Sequence, residues 1–250
     1  MTGKERILAA LRGEKPDRVP FAPNLWQWYH ANDYNGTLIF QLLPSPLKQF
    51  HWLAGQVNAS YFITDHPEEM QGLAGIYQRH WLAFVEEVAD LPDVWIYEVA
   101  DNLDSLFYPP GWFQQFCVPA FRKAADILHA RGKYLFVHAC GRLKNLAPLI
   151  LEAGLDCVEG QAPPPLGDWP LHEARVLSEK LIVCGGMAAP EQERGGPDAA
   201  ARIDAYVAGL FATMGDKRRF IFASSCNTSP RTPYANLVAF RDAAWKYGKT

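Results

Sequence analysis

Lys133-Tyr134-Leu135-Phe136-Val137-His138-Ala139-Cys140-Gly141 is the stretch that decides how this chain is read. Tyr134 to Val137 are β-forming residues in an unbroken run, the pattern of a buried strand. Gly141 ends it. Side chains alternate faces along a strand, so residues two apart leave the same side. His138 and Cys140 therefore project together from the strand's tail. An imidazole and a thiol aimed at one point are the beginning of a metal site.

Outward from this strand the pattern repeats. Further strands are expected at 94–100, 155–159, 181–184 and 220–223, with short ones at 19–22 and 61–64. Helices are expected between them. The first follows a T-x-x-E capping box, Thr2 and Glu5, and ends at Gly13. Others cover about 46–56, from about 66 past His80, 111–130, 143–153, 171–178, 197–214 and 233–247. The stretch 32–46 reads as a loop, and the aromatic cluster Trp26, Trp28 and Tyr29 as packing, with the lining of a binding mouth as the alternative. Strands alternating with helices of this length predict parallel βα units. No repeat, low-complexity tract or linker divides the chain, so one domain over 1–250 is expected. The fold class is α/β, a (β/α)8 TIM-barrel-like fold. An open doubly wound sheet is the runner-up, disfavoured because the G-x-G-x-x-G fingerprint is absent.

Composition sets the outer limits. The 250 residues are 49% hydrophobic and 20% charged, enough for a sizeable core. A net charge of −3 argues against nucleic acid as a partner. No apolar run approaches the roughly 18 residues of a membrane span. The N-terminus lacks the layout of a signal peptide, so the expectation is a cytoplasmic protein without membrane contact. Cys117, Cys140, Cys157, Cys184 and Cys226 are odd in number and spread out, which favours free thiols over a disulfide framework.

In a βα barrel, chemistry sits where the strands end. The strand at 94–100 delivers Asp101 and Asp104, and the strand at 133–139 delivers His138 and Cys140. Those at 155–159 and 181–184 deliver Glu159 and Cys184, and the last leads into Cys226. His138, Cys140, Glu159 and Cys226 are a tetrahedral-zinc type of ligand set, and two sulfurs favour zinc over magnesium or calcium. Each has an ordinary alternative: a hydrogen-bonded structural histidine, or a cysteine serving as a small hydrophobe. Cys117 and Cys157 take that alternative. Cys184 competes for a ligand position, and Glu159 is either a fourth ligand or a neighbour of the metal or substrate. Asp101 and Asp104 are candidates for substrate contact or for turn formation. Arg142 and Arg231 are surface arginines or greet an acidic substrate. Gly185-Gly186 closes its strand in a tight turn, or admits a phosphate. No Walker loop, G-x-S-x-G elbow or H-E-x-x-H is present.

Several of these segments resemble the uroporphyrinogen decarboxylase superfamily, within it the zinc-dependent, corrinoid-linked methyltransferase branch. They are Glu5 through Pro20, Ala100-Asp101-Asn102-Leu103-Asp104-Ser105, Leu128 through Gly132, His138 through Asp156, and Cys226-Asn227-Thr228-Ser229-Pro230-Arg231-Thr232-Pro233. The branch carries H-x-C and then a distant Cys, matched here by His138, Cys140 and Cys226. The related cobalamin-independent methionine synthase has a Glu ligand between its two cysteines, where Glu159 stands here. The superfamily's decarboxylases carry R-Q-A-G-R after the first strand. Asn24 to His30 holds no arginine, which speaks against a porphyrinogen, whose carboxylates want arginine partners. The resemblance covers 2–24 and about 85–250, and the N-terminal half looks shortened.

The resemblance implies methyl transfer from a methyl-corrinoid (cobalamin) on a corrinoid protein partner to a small-molecule thiol or similar acceptor. It implies zinc on His138, Cys140 and Cys226, with Glu159 as the displaceable ligand, and is compatible with a homodimer. Two other classes stay open: a metal-free decarboxylase or lyase using Asp101 or Asp104, and a non-catalytic relative that binds a corrinoid or its partner.

Overall fold

In the computed structural model, which describes residues 1–23 and 39–249, the capping box forms as read. Thr2 and Glu5 exchange side-chain-to-backbone hydrogen bonds, and helix α1 (Gly3–Arg12) stops at Gly13 in the left-handed region. The aromatic cluster at 26–29 and the segment that lacks R-Q-A-G-R lie outside the described residues. The chain groups into two compact units: Leu38–Asp156, and Met1–Thr37 together with Cys157–Thr250.

In the 38–156 unit the strands β1 (Ile39–Leu42), β2 (Ile96–Val99) and β3 (Tyr134–His138) are parallel neighbours in chain order. Between β1 and β2 run α2 (Pro46–Ala54), α3 (Gln56–Asp65) and α4 (Pro67–Val88). A helical run of Pro110–Trp112, a wide π-type turn Phe113–Cys117 and α5 (Val118–His129) lead into β3, and α6 (Ala147–Glu152) follows it. Trp81, Phe113 and Phe121, all fully buried, pack the helices together.

The other unit carries β4 (Cys157–Gln161), β5 (Ile182–Met187) and β6 (Phe220–Ser224), again parallel and in chain order. Their helices are α7 (Leu171–Leu177), α8 (Ala189–Glu193), α9 (Ala199–Thr213) and α10 (Tyr234–Tyr247). The expected strand at 19–22 pairs with β6: Phe21 is a parallel bridge partner of Phe222, and the Phe222 N–H donates to Pro20 O at 3.0 Å. Phe21, Phe211, Phe222 and Phe240 form one aromatic cluster beneath β6.

Two expectations about local structure are corrected. The segment 61–64 is not a strand but the end of α3. Ser60 and Thr64 hydroxyls donate back to Gln56 O and Ser60 O at 2.8 Å, while Ala59 and Ile63 turn into the core at helical spacing. The loop expected over 32–46 contains β1, whose residues are paired one for one with β2. The alternating helices and parallel strands are the expected α/β class. Six of the eight strands of a complete barrel are formed among the described residues.

Candidate functional site

His138 ends β3, buried, with Cys140 two residues beyond it and half-buried. Their donor atoms lie within 4.8 Å of each other, as the alternation of the strand requires. Glu98 belongs to the same face. It is paired in register with Phe136, two residues before His138, and its carboxylate is within 4.8 Å of the His138 ring. Glu98 is not among the expected ligands. The available signal was a lone acid inside the apolar run 94–100, where an unpaired carboxylate would be costly.

The loop after β2 clamps the His-x-Cys segment. Leu103 N–H donates to His138 O at 3.2 Å, Gly141 N–H donates to Leu103 O at 3.0 Å, and Ser105 N–H donates to Arg142 O at 2.8 Å. Gly141 is required by close approach: a Cβ there would sit 2.6 Å from Asp104 Cγ. Asp104 shapes this turn, its Oδ1 accepting from Leu106 N–H at 2.9 Å, and it faces Arg142 at 4.0 Å.

Asp101 lies deeper, fully buried. Its Oδ1 accepts from Ser45 N–H at 2.9 Å, while Oδ2 has no hydrogen-bond partner among the described residues. Burial pushes its carboxyl up to about 6, against the opposing pull of the Ser45 hydrogen bonds and the Lys48 charge. Its surroundings hold Tyr108 and Cys117, both raised well above their ordinary values by burial. His51 is also buried, with Nδ1 unpartnered among the described residues; desolvation, then the Lys48 charge, lowers it to about 4. Lys48 and His51 lie one turn apart on α2, Lys48 acting on Asp101 and His51 packing against the Tyr108 ring, and no motif marks either.

In the other unit Cys226 follows β6, whereas Glu159 lies in the middle of β4, which runs to Gln161 instead of ending at 159 as expected. Glu159 is buried on β4 and in register with Cys184 of β5. Cys184 sits mid-strand, because β5 continues to Met187 instead of closing at Gly185-Gly186. Those two glycines form neither a tight turn nor a phosphate loop. They let neighbouring backbone approach: a Cβ would meet Gln161 O at 2.6 Å from Gly185 and Ala223 O at 2.5 Å from Gly186.

Cys226 follows β6 in a loop held by buried polar groups. Ser224 Oγ and Thr228 Oγ1 lie 2.9 Å apart, and each donates to Gln192 Oε1 at 3.3 Å. Gln192 Nε2 donates to Met187 O at 2.6 Å, and Asn236 Nδ2 donates to Gln192 O at 2.7 Å. Ser225 N–H donates to Met187 O at 3.1 Å. Arg231 is a surface arginine, paired with Glu193 at 2.8 Å and 82% exposed.

Among the described residues, no helix is long and apolar enough to cross a membrane. A family model described as uroporphyrinogen decarboxylase (URO-D) matches residues 44–247. No curated protein sequence matches the chain. Among solved structures, a methyltransferase from Methanosarcina mazei is similar in fold, with a TM-score of 0.68 and 13% sequence identity over 99% of each chain.

Proposed function

Since the chain belongs to the uroporphyrinogen decarboxylase (URO-D) family, we propose that it is a methyltransferase that moves a methyl group from a methylated corrinoid, carried on a partner protein, to a thiol or similar acceptor. In this reading His138, Cys140 and Cys226 hold a zinc ion. One imidazole with two thiolates suits zinc. The observation that carries the reading is the His138–Cys140 pair, whose donors meet within 4.8 Å at the end of β3. The similarity in fold to a methyltransferase supports it.

Bound zinc would keep an acceptor thiol deprotonated at neutral pH, when the free thiol is mostly protonated. The chain's residues supply the rest. Cys140 and Cys226 lend negative charge to the site. Glu159 offers an oxygen ligand that a sulfur can displace. The backbone clamp from Leu103 holds the His138–Cys140 segment in place before substrate arrives, which limits the entropy lost on binding. In this reading Asp104, at the turn, is the aspartate that would meet a substrate. Asp101 acts from beneath, where its raised carboxyl favours one competing reading, a metal-free decarboxylase or lyase with Asp101 as the acid.

Elemental analysis of the purified protein, with methylcobalamin and a thiol as substrates, tests the proposal. Stoichiometric zinc and methyl transfer are expected, both lost in Cys226→Ser. Full zinc content and full transfer in that variant, or a metal-free protein that decarboxylates, would overturn it.

A further inference from the structure

A cleft of about 320 Å³ opens on the 1–37/157–250 unit, at the end of β6 away from Cys226. Its wall carries Lys15 from the turn after α1, Lys217 and Arg218 from the loop before β6, and Lys249. Four cations on one cleft stand out in a chain of net charge −3. The single acid in the wall, Asp216, does not cancel them. Its oxygens accept from Arg218 Nε and Nη2 at 3.0–3.2 Å, and Arg175 reaches it from the buried side at 3.2 Å. Those contacts, Arg218's first, hold the Asp216 carboxyl down at about 2.

The lysines, by contrast, have no acid partner among the described residues. Lys217 Nζ donates to Lys249 O at 2.8 Å and to Tyr247 O at 3.4 Å. Two backbone carbonyls thus pin the ammonium without neutralising it. Lys15 and Lys249 are exposed and form no ion pair among the described residues. Among the described residues the cleft therefore holds three ammonium groups without an acid partner, one of them fixed in place, in a volume suited to a small molecule. β6 spans about 16 Å between this loop and the loop of Cys226, so the cleft is separate from Cys226.

We propose that this cleft binds a small molecule through a diphosphate group. The two to three negative charges of a diphosphate match three ammonium groups. Its oxygens accept charge-assisted hydrogen bonds from lysine and from the outer edge of Arg218.

Isothermal titration of the full-length protein with inorganic pyrophosphate tests this, with sulfate and anionic phosphatidylglycerol vesicles as comparisons. Saturable one-site binding of pyrophosphate is expected, tighter than that of sulfate. The exposed pair Lys15→Ala/Lys249→Ala should weaken it about tenfold or more, with an unchanged unfolding temperature. Cys226→Ser should bind pyrophosphate like the parent, whatever becomes of the methyltransferase reading. Unsaturable binding, equal binding of sulfate, unchanged affinity in the double variant, or binding to vesicles but not pyrophosphate would each overturn the proposal.

Discussion

Gly141→Ala is the most direct probe of the clamp that presents His138 and Cys140. The added Cβ would overlap Asp104 Cβ and lie 2.5 Å from Oδ2 and 2.6 Å from Cγ. Rotating the Asp104 side chain removes the clashes with Oδ2 and Cγ but not the one with Cβ, so the backbone at 103–105 must shift. That shift stretches the 3.0 Å bond from Gly141 N–H to Leu103 O and the 3.2 Å bond from Leu103 N–H to His138 O. Overpacking typically costs about 1–3 kcal/mol, and one weakened hydrogen bond about 1 kcal/mol. The expected loss is about 3 kcal/mol, or roughly 6–12 °C in unfolding temperature for a chain of this size. Thermal and urea unfolding measure it, and competition with a chromogenic chelator measures zinc affinity in parallel. Asp104→Gly in the Gly141→Ala background removes the overlapping Cβ and should restore part of both. An unfolding temperature within 2 °C of the parent, or a double variant no better than Gly141→Ala, would refute the reasoning.

Three further outcomes are expected. Asp101 keeps its proton to about pH 6 when folded but only to its ordinary 3.8 when unfolded, so its contribution to stability is present at low pH and lost as pH rises through about 6. His51 has the opposite sign: lowered from 6.5 to about 4, it contributes stability above its ordinary value that is lost as pH falls toward 4. Each is worth about 3 kcal/mol. The two oppose each other over most of this range, so in urea unfolding at several pH values Asp101→Asn should lose stability on acidification and His51→Gln should gain it. Gln192→Leu leaves Met187 O, Ser224 and Thr228 short of a partner, so a loss of about 2–3 kcal/mol is expected, with weaker zinc binding through a loosened Cys226 loop. Arg231→Ala breaks only an exposed pair and should change stability by less than about 0.5 kcal/mol.

Most of the elements were legible because they rest on neighbours in sequence. The capping box of Thr2 and Glu5, the apolar runs of β2, β3 and β6, and the two-residue spacing of His138 and Cys140 are local patterns with local causes. Ile39–Leu42 was unreadable for the opposite reason. Four residues after a Gly- and Asn-containing stretch become a strand only because β2 lies alongside to take their backbone bonds. The segment 61–64 has β-forming side chains, yet burial of Ala59 and Ile63 makes it helix.

The sequence by itself determined the class of fold and the ligand-type residues at the strand ends, since alternation along a strand and the chemistry of imidazole and thiol need no partner. Only the tertiary structure decided what holds them: Leu103 bonded to the segment 138–141, Asp104 against Gly141, Gln192 beneath the loop of Cys226, and Ser45 and Lys48 beside Asp101. These are contacts between residues far apart along the chain. They exist because burial leaves each backbone and side-chain polar group to find its partner inside the fold, and no local pattern encodes which partner that is.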